Sequence, residues 1–211
     1  MDTASKNSVI ARCRTCLVLT ATLLATACGV NPSARAPRTE IQDENGFTIR
    51  EDIQVSGDVR QDFNMALRML EQEQYEQAIV LLEGVTDSAP EATAAYINLG
   101  IAHGRIGDLE NAEISIGKAL TLNPRHPVAH NEMGMIYRRT GRFDAARQSY
   151  EKALSLHPEF HFSRLNLAIL CDVYLADLEC ALENYELYRA AVPDDEEASM
   201  WIADLRNRAG H

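Results

Sequence analysis

The chain has 211 residues, of which 46% are hydrophobic, and this is enough for one folded domain with accessory segments. Its formal net charge of −11 would repel the phosphate backbone of a nucleic acid, so we predict no nucleic-acid partner. Aromatic residues make up only 6% of the chain, whereas Ala, Leu, Glu and Arg are frequent, a composition that favours helices over strands.

The first 27 residues have the features of an export signal. A basic start is followed by an apolar run over residues 16–27, which is too short to span a hydrocarbon core of ~30 Å comfortably but suits a signal peptide. The run ends in small residues directly before Cys28. This resembles the lipobox of bacterial lipoproteins, whose cysteine is lipidated before cleavage, although Ala25 stands where Leu is usual. An ordinary cleaved signal and a short uncleaved anchor are the alternatives.

The resemblance to Gram-negative lipoproteins also implies a destination. Gly29 follows the cysteine, and the absence of Asp at that position implies transport to the outer membrane. We therefore expect a periplasm-facing lipoprotein held in the outer membrane by its acyl chains, with a soluble periplasmic protein as the alternative. Residues 28–57 are rich in Pro, Ser, Gly and charges, and we predict that beyond the lipidated cysteine they form a flexible tether.

Beyond this segment, one local pattern recurs with a period of 34 residues. Four phrases, FNMA, INLG, NEMG and LNLA, carry Asn64, Asn98, Glu132 and Asn166 at equivalent positions. Prolines close the units with the same period, the last of them one residue late: Pro90, Pro124, Pro158 and Pro193. The period predicts four units of two short helices each, over about 59–92, 93–126, 127–160 and 161–194.

Small and bulky residues within each unit predict how its two helices pack. The first helices carry a small residue that lets a neighbouring backbone approach: Ala66, Gly100, Gly134 and Ala168. The second helices carry a second small residue and a bulky residue about one turn later: Ala78, Ala112, Ala146 and Ala181, then Leu82, Ile116, Tyr150 and Tyr185. Gly107 and Gly141 lie in the turns, Glu73 takes the glycine's place in the first unit, and the fourth unit has one extra residue, which we place in its turn.

These residues resemble the tetratricopeptide repeat over about residues 59–193. The resemblance implies an all-α superhelix, or α-solenoid, of about four helix-turn-helix units. Residues 194–211 carry an apolar stripe and acidic residues at its start, and we predict that they form a capping helix. Trp201 on this helix either packs against the last unit or anchors a partner.

A concave groove lined by the first helices is the candidate binding surface in such a stack. The regularly spaced asparagines resemble the asparagine ladder of peptide-binding tetratricopeptide proteins, in which amides bond the backbone of an extended peptide. The alternative is that these side chains only satisfy nearby backbone groups. The candidate groove residues, with Arg139 at the edge, are Asn64, Asn98, Asn131, Glu132, Asn166, Arg105, Arg138, Ile101 and Met135.

Two further sets of residues are candidates for chemistry. Cys171 and Cys180 are predicted to lie on the two helices of the fourth unit, where they form either a disulfide or a pair of buried free thiols. The histidine pairs are each four residues apart, as helical metal ligands can be, but they straddle the unit junctions and have no evident third ligand: His126 with His130, and His157 with His161. We predict no catalytic residue, no metal site and no cofactor, and a metal-dependent module built on the histidines is the remaining alternative.

A lipobox followed by tetratricopeptide repeats resembles the pilotin-type lipoproteins of type IV and tight-adherence pili. The resemblance implies a non-catalytic protein–protein interaction scaffold: an outer-membrane-anchored adaptor that binds an extended segment or helix of another envelope protein during pilus or secretion-apparatus assembly. A scaffold for peptidoglycan enzymes or for a TonB-like envelope complex has the same architecture and is the alternative.

Overall fold

The computed structural model describes residues 38–43, 46–51 and 53–210, and the chain divides into two units, 1–54 and 55–211. In the first unit, strand β1 (Arg38–Asp43) pairs antiparallel with strand β2 (Gly46–Glu51). This hairpin lies within residues 28–57, the segment predicted to form the flexible tether. Alternating Thr, Ile and Phe residues favour the extended backbone here. The predicted signal and Cys28 lie outside the described residues.

The second unit is built from helices, and the predicted all-α solenoid is confirmed. The helices in its described part are α1 (Gly57–Glu71), α2 (Tyr75–Ser88), α3 (Thr93–Ile106), α4 (Leu109–Leu122), α5 (Pro127–Arg139), α6 (Phe143–Leu156), α7 (His161–Ile169), α8 (Leu178–Ala191) and α9 (Glu196–Ala209). Odd and even helices up to α8 form pairs, and each pair contacts the next along the chain. No described helix combines the length and the apolar character that crossing a bilayer requires.

The core lies inside and between the helix pairs, where the sequence pattern predicts it. The bulky residues of the second helices are all buried: Leu82, Ile116, Tyr150 and Tyr185. The small residues opposite them leave no room for a larger side chain. A Cβ atom added to Gly100 would lie 2.7 Å from Ile116, and one added to Gly134 would lie 2.5 Å from Tyr150. The spacing of the helices in each pair therefore depends on these small residues.

The turns between paired helices need a left-handed residue at one position. Gly107 has φ 89° and Gly141 has φ 76°, and both conformations suit glycine. Glu73 occupies the equivalent position of the first unit and has φ 60°. The first unit therefore has the same left-handed turn conformation although it lacks the glycine. Because Glu73 carries a Cβ atom, this conformation has a steric cost there.

The fourth unit accommodates its extra residue in a different place from the one predicted. Helix α7 continues into a π-helical turn over Leu170–Tyr174, closed by a bond from the backbone N–H of Leu175 to the carbonyl of Leu170. The placement of the extra residue in the interhelical turn is therefore wrong. One residue inserted into an α-helix is absorbed as a wider turn, because this keeps the flanking helical faces in register.

Helix α9 covers the open end of the stack. Its Ile202 and Leu205 are buried, and the Trp201 ring lies 5.2 Å from the ring of Tyr185 on α8. The carboxylate of Asp195 caps α9 by accepting from the N–H of Ala198, and it also accepts from the Tyr188 hydroxyl at 2.7 Å. Trp201 therefore packs against the last unit.

Candidate protein-binding surface

The first helices of the four units lie side by side. Helix α3 contacts both α1 and α5, and side chains of α5 and α7 are joined by a hydrogen bond. We call the surface formed by α1, α3, α5 and α7 the inner surface. All the candidate groove residues predicted from the sequence lie on these four helices.

The asparagines at equivalent positions differ in their surroundings. Asn64 is exposed on α1. Asn98 is buried, and its Nδ2 donates to the carbonyl of Ala94 one turn earlier in the same helix, at 2.8 Å. This bond is the backbone-satisfying role that the sequence leaves open for these residues. It uses one amide hydrogen of Asn98 within the protein.

The structure brings four of the predicted residues into one polar cluster. Asn166 on α7 donates to the Oδ1 of Asn131 on α5 at 3.0 Å, and Asn131 in turn donates to Glu132 at 3.1 Å and approaches the Met135 sulfur at 3.8 Å. Asn131 and Glu132 are both buried. Burial raises the pKa of the Glu132 carboxyl above its usual range, while Arg105 and the Asn131 amide act in the opposite direction.

Arginines gather beside this cluster at the carboxyl ends of α3 and α5. Arg139 donates to the carbonyl of Gly104 on α3. Burial lowers the pKa of Arg139, and the charges of Arg105 and Arg138 lower it further, so both arginines act electrostatically on Arg139. We call Arg105, Arg138 and Arg139 the arginine cluster. Basic residues at helix carboxyl ends also interact favourably with the helix dipole.

One aromatic residue that the sequence did not indicate as part of the surface lies beside Arg138. Its guanidinium carbon is 5.9 Å from the ring centre of Tyr174, which is 45% exposed. Tyr174 ends the π-helical turn, so its placement depends on the extra residue of the fourth unit. The extra residue of the fourth unit was the feature of the sequence that could have indicated the position of Tyr174. The sequence did not show, however, that this residue would be accommodated within the helix. The predicted Ile101 is half-buried on α3 and adds apolar area.

The two cysteines of the fourth unit are joined in the structure. A disulfide links Cys171 to Cys180, with Cα atoms 5.9 Å apart. Asp177 lies beside it, accepting from the backbone N–H of Cys180 and from Arg147, and Arg147 is the main cause of the lowered pKa of Asp177. Among the described residues, one group of His, Cys, Asp or Glu side chains is close enough to share a metal ion, and it consists of Cys171, Asp177 and Cys180. The two cysteines of this group are bonded to each other.

The histidine pairs have roles within the helix junctions. The Nδ1 of His126 accepts from the backbone N–H of Ala129 at 3.4 Å and so caps α5. His130 Nε2 lies 3.0 Å from the carbonyl oxygen of Pro124, and the ring of His161 lies 4.2 Å from that of Phe162. His126, His130 and His161 therefore contact backbone groups or a neighbouring ring at the junctions between units.

The repeated segments of the chain match models of a known repeat family. Residues 63–127 and residues 127–160 each match a model of the tetratricopeptide repeat. The chain contains tetratricopeptide repeats. Tetratricopeptide repeat proteins generally act as scaffolds for protein interactions, and their fold is typically non-catalytic. No curated protein is significantly similar to the chain in sequence.

Solved structures share this tetratricopeptide architecture. Pseudomonas aeruginosa pilF is 21% identical, with 72% of this chain and 68% of that chain covered and a TM-score of 0.66. The Thermus thermophilus protein TTC0263 is 23% identical, with 71% and 81% covered and a TM-score of 0.63. The first repeat domain of Spaghetti (RPAP3), bound to the HSP90 peptide SRMEEVD, is 22% identical, with 59% and 98% covered and a TM-score of 0.54. At these identities the likeness establishes the fold alone.

Proposed function

We propose that the protein is an outer-membrane-anchored adaptor whose inner surface binds an extended segment or helix of another envelope protein, and that it serves the assembly of a pilus or secretion apparatus. One combination carries the proposal: a lipobox-like sequence ending at Cys28 precedes a stack of tetratricopeptide repeats. The anchor would hold the stack at the membrane, and the stack would hold the partner.

The inner surface supports a binding role by its composition. It offers half-buried apolar side chains at Ile101 and Met135, and it offers charged groups at the arginine cluster. A partner segment lying along the first helices would cross successive units and meet both kinds of group. In the RPAP3 structure a domain of the same fold is bound to a peptide.

Site-specific photocrosslinking tests the surface. A photoreactive phenylalanine analogue at Ile101 or Met135 on the inner surface is expected to give an adduct with an envelope protein in intact cells. The matched control places the same group at Ile114 on α4, which is 62% exposed and lies on a second helix. Equal crosslinking from both surfaces, or none from the inner surface, would contradict the proposal. Crosslinks to peptidoglycan enzymes would instead favour the alternative scaffold.

The anchor is tested separately. Cys28→Ser is expected to remove the acyl chains and to release the protein from the membrane fraction, because several acyl chains together are needed for a durable attachment. Metabolic labelling with a fatty-acid analogue reports acylation directly. Unchanged membrane attachment of the serine variant would rule out lipidation at this position.

A further inference from the structure

The turn of the fourth unit exposes a run of apolar residues. Residues 173–176 are Val, Tyr, Leu and Ala, and Val173 and Tyr174 are 58% and 45% exposed. The equivalent turns of the first and third units are polar, with the sequences QEQ over residues 72–74 and TGR over residues 140–142. Consecutive exposed apolar residues are unfavourable in water and usually mark a binding site. We call residues 173–176 the apolar loop.

The structure holds the apolar loop in a defined conformation. The disulfide between Cys171 and Cys180 closes a ring around it, and the Tyr174 ring packs on Phe143 of α6 with the ring centres 4.9 Å apart. Ala176 has φ 51°, so a residue with a Cβ atom takes the left-handed conformation that glycine takes in the second and third turns. Because the loop is already ordered, burying its exposed side chains against a ligand costs little conformational entropy.

The acidic groups on both sides of the loop are compensated by arginines. Asp172 pairs with Arg208 at 2.7 Å, and Asp177 pairs with Arg147 at 2.6 Å. Both arginines are partly exposed, so they keep N–H donors for a further acceptor. Apolar and aromatic side chains flanked by arginines are typical of segments at the membrane–water interface, where tyrosine lies among the lipid headgroups and arginine reaches the phosphates. The charges beside the loop therefore suit a bilayer surface.

The length of chain before the stack allows the loop to reach a bilayer. Residues 29–56 separate Cys28 from the start of α1 at Gly57. Fully extended, such a segment spans at most ~100 Å, and the hairpin of β1 and β2 shortens it. Acyl chains on Cys28 would confine the stack within this distance of the membrane. A weak contact between the loop and the bilayer then forms readily, because the anchor raises its effective concentration.

We propose that the apolar loop inserts into the surface of the lipid bilayer, with Val173 and Tyr174 among the headgroups and with Arg147 and Arg208 beside the lipid phosphates. This inference rests on the proposed function, because the lipid anchor supplies the proximity. Glu179, the exposed acid of the disulfide ring, would remain in water. The contact would fix the orientation of the stack on the membrane, which an anchor at a single point leaves free.

Fluorescence quenching by brominated lipids tests the proposal. The Tyr174→Trp variant is purified from membranes and reconstituted in vesicles of phosphatidylethanolamine and phosphatidylglycerol, with bromine near the headgroup end of the acyl chains. We expect these lipids to quench its emission at least about twofold more than that of the wild type, whose single tryptophan is Trp201. Val80→Trp on α2 is the matched control, since Val80 is 68% exposed on a second helix, and its quenching should equal that of the wild type.

An added charge tests whether apolar insertion causes the quenching. Val173→Asp in the Tyr174→Trp chain is expected to reduce the quenching to the level of the wild type, because a carboxylate is costly at the bilayer surface. Ile114→Asp in the same chain adds the same charge at a residue that is 62% exposed on α4, and it should leave the quenching unchanged. Circular dichroism melting verifies that each variant is folded. Equal effects of the two aspartate substitutions would overturn the proposal.

The outcome separates this inference from the proposed function. If Cys28→Ser releases the protein from the membrane but the lipids quench Tyr174→Trp no more than Val80→Trp, the anchor stands and the loop proposal fails. If Cys28 carries no acyl chains, the purified Tyr174→Trp variant is mixed with the same vesicles. Quenching there supports the loop contact without the anchor, and its absence overturns that contact. A photoreactive group at Val173 that forms an adduct with a protein instead of phospholipid would show that the loop binds a protein, and the proposal would also fail.

Discussion

Asn166 donates a hydrogen bond from its Nδ2 to the Oδ1 of Asn131, 3.0 Å away, and so joins the first helices of the third and fourth units. Asn131 is 1% exposed, so water does not replace this partner if the bond is broken. Two residues that the sequence suggested as ligands of a peptide are therefore also a structural link between units.

The first prediction concerns this link. Asn131→Ala is expected to lower the free energy of unfolding by about 1–2 kcal/mol, and Asn166→Ala by somewhat less, because each removal leaves a polar partner unsatisfied. In a double-mutant cycle the two changes should couple by about 0.5–1 kcal/mol, measured by urea unfolding. Asn64→Ala at the exposed equivalent position is the control, and its effect should stay within about 0.5 kcal/mol. Additive effects at Asn131 and Asn166 would show that the bond contributes nothing.

The second prediction concerns the close approach of α5 and α6. Gly134→Ala is expected to destabilise the protein by about 1–3 kcal/mol, because the new methyl group would lie 2.5 Å from the fully buried Tyr150 ring. Gly84→Ala in α2 is the matched control, since a Cβ there meets nothing within 4 Å. It should stabilise by about 0.5–1 kcal/mol through helix propensity. Thermal unfolding of both variants should show opposite shifts, and shifts of the same sign would contradict the packing described here.

The third prediction concerns the strained turn of the first unit. Glu73→Gly is expected to stabilise the protein by about 0.5–1 kcal/mol, because glycine adopts the φ of 60° at this position without the Cβ clash. Gly107→Ala, at the equivalent position of the second unit, should destabilise by a similar amount. Denaturant midpoints measure both changes. A loss of stability in Glu73→Gly would show that the glutamate side chain contributes more than the turn costs.

The fourth prediction uses the buried Glu132. Burial raises the pKa of Glu132 in the folded chain, so this carboxyl ionises first in the unfolded chain as the pH rises. The free energy of unfolding therefore falls with rising pH until the pH passes the pKa of the folded state. Glu132→Gln is therefore expected to stabilise the protein at neutral pH, and the gain should disappear below about pH 4. Urea unfolding as a function of pH measures this dependence.

Glu113 provides a control of opposite sign. Its pKa is lowered, mainly by the hydrogen bond from Arg142, so its contribution to stability is present above the usual carboxyl pKa and is lost as the pH falls through the lowered value. Glu113→Gln should therefore destabilise slightly at neutral pH and have no effect in acid. The two glutamine variants would converge with the wild type at low pH. Parallel pH profiles for both variants would refute the assigned environments.

The fifth prediction concerns the disulfide of the fourth unit. Replacing Cys171 and Cys180 by Ala together is expected to lower the free energy of unfolding by about 2–3 kcal/mol, as the loop-closure model gives for a loop of this short length. Reducing agent should lower the stability of the wild type to a similar extent and leave the double variant unchanged. Alkylation under non-reducing, denaturing conditions reports the state of the thiols, and full labelling without reductant would show that the bond is not formed.

The sequence by itself determined the repeat fold, because its period is carried by local features. Small residues such as Gly100 and Gly134, buried residues such as Tyr150, and the turn residues Gly107 and Gly141 recur at a spacing that only stacked helix pairs satisfy. The helix pairs follow from hydrophobic periodicity and turn chemistry, which act over a few residues.

Only the tertiary structure decided how the inner surface is arranged. Asn98, Glu132 and Asn166 occupy one position of the repeat, yet one bonds its own helix, one is buried beside Asn131 and one links two units. The hydrogen bond from Arg139 to the carbonyl of Gly104 required two chain segments from different units to pack together. The π-helical turn absorbed an inserted residue that the sequence pattern assigned to a loop. The repeat determines where each residue lies within its helix pair, because this depends on residues nearby in the chain. The surroundings of each residue depend on contacts with other units, whose residues are more than 30 positions away in the chain. Asn131 and Asn166, which are 35 residues apart, form such a contact.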